Sequence, residues 1–450
     1  VKLPGVTLSM LLLCSTPAWA LSVLDAWSLA LENDPTFQAA VQEKVAGDEN
    51  KNIGRAGLLP TVSVNYRNGP RNWQTATSER NNLLTGQTIE TSVRQQYSSY
   101  SGSVTVTQPL FDYSAWARYK AGVAQTFMSD ERYRAKFLEL SVRVIGTYVE
   151  AAYARDKIAL LQAQKATLYE QMTQNQRLLA AGEGTVTDIS ETEARYRLAQ
   201  AQEIEARDAL DVAQRQLETI IGIPVTGPEM LQMLRPGKFS TQPLRPARFE
   251  DWQALALKNN PQLAASRYGI DAAKYDIENN RGRFMPQVAL YATHSENDSS
   301  SDNTINQQYR TDSIGVQVSM ELYSGGRDLA SVRQAAARYK QAKYEMDAQA
   351  GATLVDLRKQ FNASTSSRAK LAAYELAVTS ARTVVEATRK SVLAGQRVNL
   401  DVLNAQQQLY RAQEDLAGAK YAYIKSWIAL LNGSGTLSEK DIRRAAAWFE

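Results

Sequence analysis

Cysteine and histidine are almost missing from this chain, one of each in 450 residues. With Cys14 near the start and His294 far from it, neither a disulfide framework nor a Cys/His metal site can be assembled. No H-E-x-x-H occurs. Gly222 and Gly227 have the spacing of the two P-loop glycines, but Pro228 stands where lysine must follow. Gly182-Glu183-Gly184 is a fragment of a dinucleotide fingerprint, without its third glycine or a preceding strand. Catalysis needs convergent groups that are not here, so no enzyme, cofactor or metal is expected. A one-signed charge block is missing too: the formal net charge of +4 is spread along the chain. That excludes the clustered basic face of a nucleic-acid binder. Beyond the first twenty residues no apolar run approaches the length of a spanning helix. An exported soluble protein or a β-barrel remains, since only helices and closed barrels satisfy their backbone in lipid.

What is there begins with an early lysine, an apolar run over Leu8–Leu13 and the small-x-small pattern Ala18-Trp19-Ala20. This reads as a secretory signal peptide over 1–20, cut after Ala20. Cys14 falls inside it, and Leu13 is too large for a lipidation site, so the mature chain from Leu21 has no thiol.

The remainder is a duplication. LALENDPTFQAA (29–40) parallels LALKNNPQLAAS (255–266), with Leu31/Leu257, Asn33/Asn259, Pro35/Pro261, Arg55/Arg281 and Pro60/Pro286 in one register. VTVTQPLFD (104–112) matches VQVSMELYS (316–324), and LLAAGEGTVTDIS (178–190) matches VLAGQRVNLDVLN (392–404). Repeats of this length mean two copies of one structural unit. The expected organisation is a first repeat over 21–222, a proline-rich linker over 223–249, a second repeat over 250–433 and a C-terminal segment over 434–450. Each repeat should open with a helix carrying an early proline, about 24–57 and 250–283.

Period-two alternation follows in 61–67, 101–110, 287–293 and 313–322. Val62, Val64 and Tyr66 share one face; Ile314, Val316, Val318, Met320 and Leu322 oppose Ser313, Gly315, Gln317, Ser319 and Glu321. This is the pattern of a transmembrane barrel strand, apolar to lipid and polar to lumen. A soluble sheet would explain any one segment equally well. Tyrosines near the segment ends fit an interfacial girdle, and the polar stretches 68–96 and 294–308 read as exposed loops, with His294 solvated at a loop edge. Four strands cannot close a membrane barrel, so either they are soluble or several chains pool them; the signal peptide and the girdle favour pooling.

The long helices show heptad spacing: Ile145, Ala152, Ala159 and Ala166; Ala199, Ala206, Ala213 and Ile220; Leu357, Ser364, Leu371, Val378, Val385 and Val392. Such spacing predicts coiled-coil partners along their length. Gly182, Gly184 and Gly395 supply the permissive backbone for reversing direction at two hairpin tips, and Asp188 and Asn399 are placed to cap the helices that resume.

These phrases, in order and duplicated, resemble the TolC family of outer-membrane channel proteins over nearly the whole mature chain. The carriers are the two LAL phrases, QPLFDYSAWARY (108–119) with ELYSGG (321–326), the tip phrases, and GTLSEKDI (435–442). GRAGLLP (54–60), LLAAGEGTVTDISETEARY (178–196) and RVNLDVL (397–403) are most similar to the PrtF/AprF-like branch serving type I protease secretion. The resemblance implies a mainly α protein with a transmembrane β-barrel, long coiled-coil hairpins forming a periplasmic α-barrel, and a homotrimer whose twelve strands close one outer-membrane barrel. It implies a passive duct for an exported protein, a protease or similar cargo. The implied partners are outer-membrane lipid, a periplasmic adaptor and an inner-membrane ABC transporter, with the adaptor contacting the tips at Gly182, Gly184 and Gly395. The implied periplasmic gate is Thr187, Asp188 and Arg397, with Asp401 ringing the entrance. The family's gate tyrosine is replaced by Val392 and its second acidic ring position by Asn404. Each gate residue also has an ordinary reading, Asp188 as a helix cap and Arg397 as a solvated charge. A small-molecule efflux duct is the alternative within the family; a soluble periplasmic coiled-coil adaptor would explain the hairpins but not the strands.

Overall fold

The computed structural model describes residues 20–81, 86–227, 230–235, 237–300 and 307–449. The predicted signal peptide, Ala20 apart, lies outside the described residues, as do 301–306 of the second predicted loop. In chain order the elements are α1 (Val23–Asn33), α2 (Pro35–Ala56), β1 (Thr61–Asn81), β2 (Thr88–Phe111), α3 (Tyr113–Ala180) and α4 (Val186–Ile221). The same order recurs in α5 (Phe249–Asn259), α6 (Pro261–Gly282), β3 (Gln287–Ser299), β4 (Gln307–Ser319), α7 (Arg327–Leu393) and α8 (Asn399–Gly433), before a short α9 (Glu439–Ala446). The chain divides into two compact units, one of residues up to 42, 133–263 and 349 onward, the other of 43–132 and 264–348.

The helix expected at the start of each repeat is two helices. Proline disfavours helical backbone in the residue before it, and Asp34 and Asn260 are extended, with ψ of 115° and 122°. Both then cap the helix that follows. Asp34 Oδ1 accepts from the Phe37 amide at 2.7 Å, and Asn260 Oδ1 from the Gln262 amide at 3.0 Å.

In the second unit the strands form one antiparallel sheet in the order β1-β2-β3-β4, so the hairpins of the two repeats lie side by side. One face stacks Val62, Val106, Ala292 and Ile314 in a row, then Val64 beside Val104. The other carries Ser63, Thr105, Thr293 and Ser313. The apolar face is not covered by this chain: Val62, Val64, Ile314, Val316 and Val318 are 60–78 % exposed. The outer edges of β1 and β4 have no partner strand among the described residues.

The strand boundaries differ from the sequence expectation. Most of 68–96 is strand, because the polar residues there pair through their backbone: the β1–β2 ladder runs out to Asn81 and Thr88 past an irregularity between Gly69 and Asn72. Side-chain polarity separates lipid from water but does not end a backbone ladder. β4 stops at Ser319, leaving Met320 and Leu322 outside it. His294 is likewise on a strand, opposite Asp312, with its Nδ1 2.6 Å from the carboxylate.

The first unit holds the main core, where Tyr148, Ile145, Leu217, Ile221, Leu231, Tyr423 and Phe449 are buried. The proline-rich stretch before α5 is packed against it. Leu21 forms a parallel bridge with Leu231, and the Tyr148 hydroxyl donates to Leu21 O at 2.7 Å while accepting from the Gln232 amide at 2.9 Å. Phe239 packs against Tyr423 and Trp448. Ala199, Ala206, Ala213 and Ile220 are buried as their heptad predicts, but Ala159 and Ala166 are exposed. In that part of α3 the buried row is Ala154, Leu161, Leu168 and Asn175. This row is heptad-spaced too, but lies on the side of α3 away from Ala159 and Ala166, where Leu168 meets Ala199 of α4 and Leu403 of α8.

Candidate functional site at the helical tips

Both long hairpins reverse through the same backbone device. At the end of α3, Gly182 N–H donates to Leu179 O at 3.0 Å and Glu183 N–H to Leu178 O at 2.9 Å. At the end of α7, Gly395 N–H donates to Val392 O and Gln396 N–H to Ser391 O, both at 2.9 Å. These are Schellman motifs, whose C′ residue must be left-handed; φ is +78° at Gly182 and +69° at Gly395. Gly184 has a different reason to be glycine. A Cβ there would sit 2.9 Å from the Leu179 nitrogen. Its counterpart in the second tip is Arg397.

The helices resume with their caps three residues earlier than Asp188 and one earlier than Asn399. Thr185 is the N-cap of α4: its hydroxyl accepts from the Asp188 amide at 3.1 Å, and the Asp188 carboxylate accepts from the Thr185 amide at 3.3 Å. Asp188 is therefore the returning acid of a capping box, not the cap itself. At α8 the N-cap is Val398, which has no side-chain oxygen, so only the returning half exists: Asp401 accepts from the Val398 amide at 3.4 Å. Both candidate acids thus sit in the first turn of a helix, where the positive end of the dipole also favours them.

The structure does not bring the predicted gate together within one chain. Thr187 and Arg397 are exposed, and among the described residues neither side chain makes a hydrogen bond or ion pair with Asp188 or Asp401. The ties that do join the first hairpin to α8 come from other residues. Gln171 Nε2 donates to Asn399 Oδ1 at 2.6 Å, and the Thr167 and Tyr410 hydroxyls are 3.0 Å apart. Arg195 on α4 reaches three acceptors on α8: Leu403 O at 3.1 Å, Gln407 Oε1 at 2.7 Å and Asn404 Oδ1 at 2.6 Å. Nothing in the sequence marks these pairs, whose members are more than two hundred residues apart. Further along the α3–α4 hairpin, Glu203 is buried among Lys165, Arg207 and Gln162. Hydrogen bonds from Lys165 first and Arg207 second hold its carboxyl down to about 2. Among the described residues no group of three metal-donor side chains converges.

The sequence profile described as "Outer membrane efflux protein" matches residues 26–223 and 252–436, the greater part of both repeats. The chain belongs to the outer membrane efflux protein family. It is 46 % identical over 443 residues to the "Alkaline protease secretion protein AprF" of Pseudomonas aeruginosa, covering 98 % of this chain and 90 % of that one. It is 41 % identical over 436 residues to the "Proteases secretion protein PrtF" of Dickeya chrysanthemi, covering 96 % and 92 %. Among solved structures, the outer membrane protein VceC of Vibrio cholerae superposes with a TM-score of 0.75 at 16 % identity, over 92 % of this chain and 96 % of that one. That likeness shows the fold: the four-stranded sheet and long helical hairpins are those of an outer-membrane channel. Family members are channels and not enzymes, and this chain is an outer-membrane protein.

Proposed function

We propose that three copies of this chain form the outer-membrane duct of a type I secretion system, a passive exit for a protein such as a protease. The sheet carries the reading. It has an uncovered apolar face, a polar opposite face and two open edges, a combination tolerated in lipid only if the edges are closed by further strands. Three sheets supply twelve strands. The protein cargo is supported by the near full-length similarity to two proteins named for protease secretion. The helices then line a periplasmic tunnel, and the tips at Gly182, Gly184 and Gly395 receive a periplasmic adaptor coupled to an inner-membrane ABC transporter. Because Arg397 lacks a partner in its own chain among the described residues, the Thr187–Asp188–Arg397 lock joins neighbouring chains, with Asp401 beside it.

Deleting the gene and assaying the culture supernatant tests the cargo. Loss of one or a few secreted proteins, with unchanged drug susceptibility, is expected; increased susceptibility with a normal secretome would favour small-molecule efflux. Cysteines at 183 and 396 should crosslink to the adaptor, and a cysteine at 298 on β3 should not.

A further inference from the structure

The two hairpins are held together near their tips in a way that differs from the rest of the first unit. The main core spans dozens of buried side chains, whereas the only other buried cluster among the described residues is Leu168, Ala199 and Leu403, with Tyr196 against it. Cavities of about 250 Å³ and 610 Å³ flank this cluster. Gln406, 4 % exposed, faces the smaller one, and neither of its amide atoms has a partner among the described residues. Asn399 Nδ2 is also buried without one. A desolvated amide without partners opposes burial, and separating the hairpins would return both groups to water. Few apolar contacts and unmet polar groups mark the segment of a fold that opens first.

The geometry points to Arg195 as the latch that holds this weak seam shut: its guanidinium ties α4 to α8, and its release accompanies opening of the tip. This rests on the duct reading and adds to it a residue outside the predicted Thr187–Asp188–Arg397 lock. Three donors of one planar fork meet a backbone carbonyl and two side-chain carbonyls, from Asn404 and Gln407, on successive turns of α8. Such a fork points its donors at several acceptors in fixed, planar directions, whereas an ammonium is a compact point charge on a flexible stem. Gln406 acts in the opposite direction, since its unmet amide makes the closed seam costlier.

The test uses the purified wild-type trimer and its variants in planar bilayers. Arg195→Ala should raise the open fraction about tenfold, the loss expected for one charge-assisted set of hydrogen bonds. Arg195→Lys should recover only part of the closed state. Gln406→Leu should lower the open fraction below wild type, an effect of opposite sign that a merely misfolded tip would not produce. A disulfide between Ala199→Cys and Leu403→Cys, which pins α4 to α8, should hold the channel in its low-conductance state until it is reduced. Channels indifferent to Arg195→Ala, or opening freely while the disulfide is intact, would overturn the latch and leave the duct standing. A wild-type trimer that forms no channel would overturn both.

Discussion

At residue 188 the observed capping contact and the proposed gate role fall on one carboxylate, and they can be separated. Asp188→Asn keeps a carbonyl acceptor for the Thr185 amide and loses only the charge at the helix N-terminus, so hydrogen exchange in the first turn of α4 should reflect a loss of no more than about 0.3–1 kcal/mol. Under the proposed lock its conductance at low salt should nevertheless exceed wild type, because the charge that would pair with Arg397 of a neighbouring chain is gone. Salt should narrow the difference by screening an exposed pair. Equal conductance at low salt would reduce Asp188 to a capping residue. Thr185→Ala is the converse case: it removes the cap and should cost roughly 1 kcal/mol, seen as faster exchange in that same turn. Val392 contributes no hydroxyl at the tip, which leaves the charges a larger share of the proposed lock.

At the scale of elements, α3 and α4 are joined by small apolar residues and one buried ionic cluster. Glu203 is held below the usual carboxylate range, from 4.5 to about 2. A depressed folded value stabilises the native state above the unfolded value and is lost as pH falls through the folded one. The hairpin should therefore lose stability progressively between about pH 4.5 and pH 2, by at most about 3 kcal/mol. Glu203→Gln should lower the melting temperature at pH 6, where Lys165 and Arg207 are left facing each other, and flatten the decline towards pH 3. Circular dichroism melts of the two proteins at both pH values check this; parallel declines would place the acid sensitivity elsewhere.

At the scale of the whole molecule, the main core depends on two aromatic residues beyond α9. Trp448 and Phe449 are buried in the main core, Trp448 against Trp427 with ring centroids 5.4 Å apart and Phe449 edge-on to Tyr148 at 5.5 Å. Trp448→Ala should cost roughly 3–5 kcal/mol and deplete the trimer from the outer membrane, measured by detergent extraction and sedimentation. Leu231 and Phe239, within the predicted linker over 223–249, pack into that same core, so what composition marks as a linker is held in place by packing.

Local rules acting over a few residues made much of this legible in the sequence alone. The duplication was visible in matched phrases, the sheet faces in period-two alternation, the reversals at Gly182 and Gly395 in the need for a left-handed residue. The outer-membrane assignment came from the family resemblance these phrases carry, since the four strands alone left a soluble sheet open. Tertiary structure decided the rest. It moved the buried seam of α3 from Ala159 and Ala166 to Leu161 and Leu168, and carried the β1–β2 ladder through residues polar enough to read as loop. It also joined the first hairpin to α8 through Arg195, Gln171 and Tyr410, none of which the sequence singled out. Arg195 and Asn404 lie 209 residues apart, and no periodicity or spacing links them. Their meeting is set by how α8 packs against the first hairpin, which only the folded chain determines.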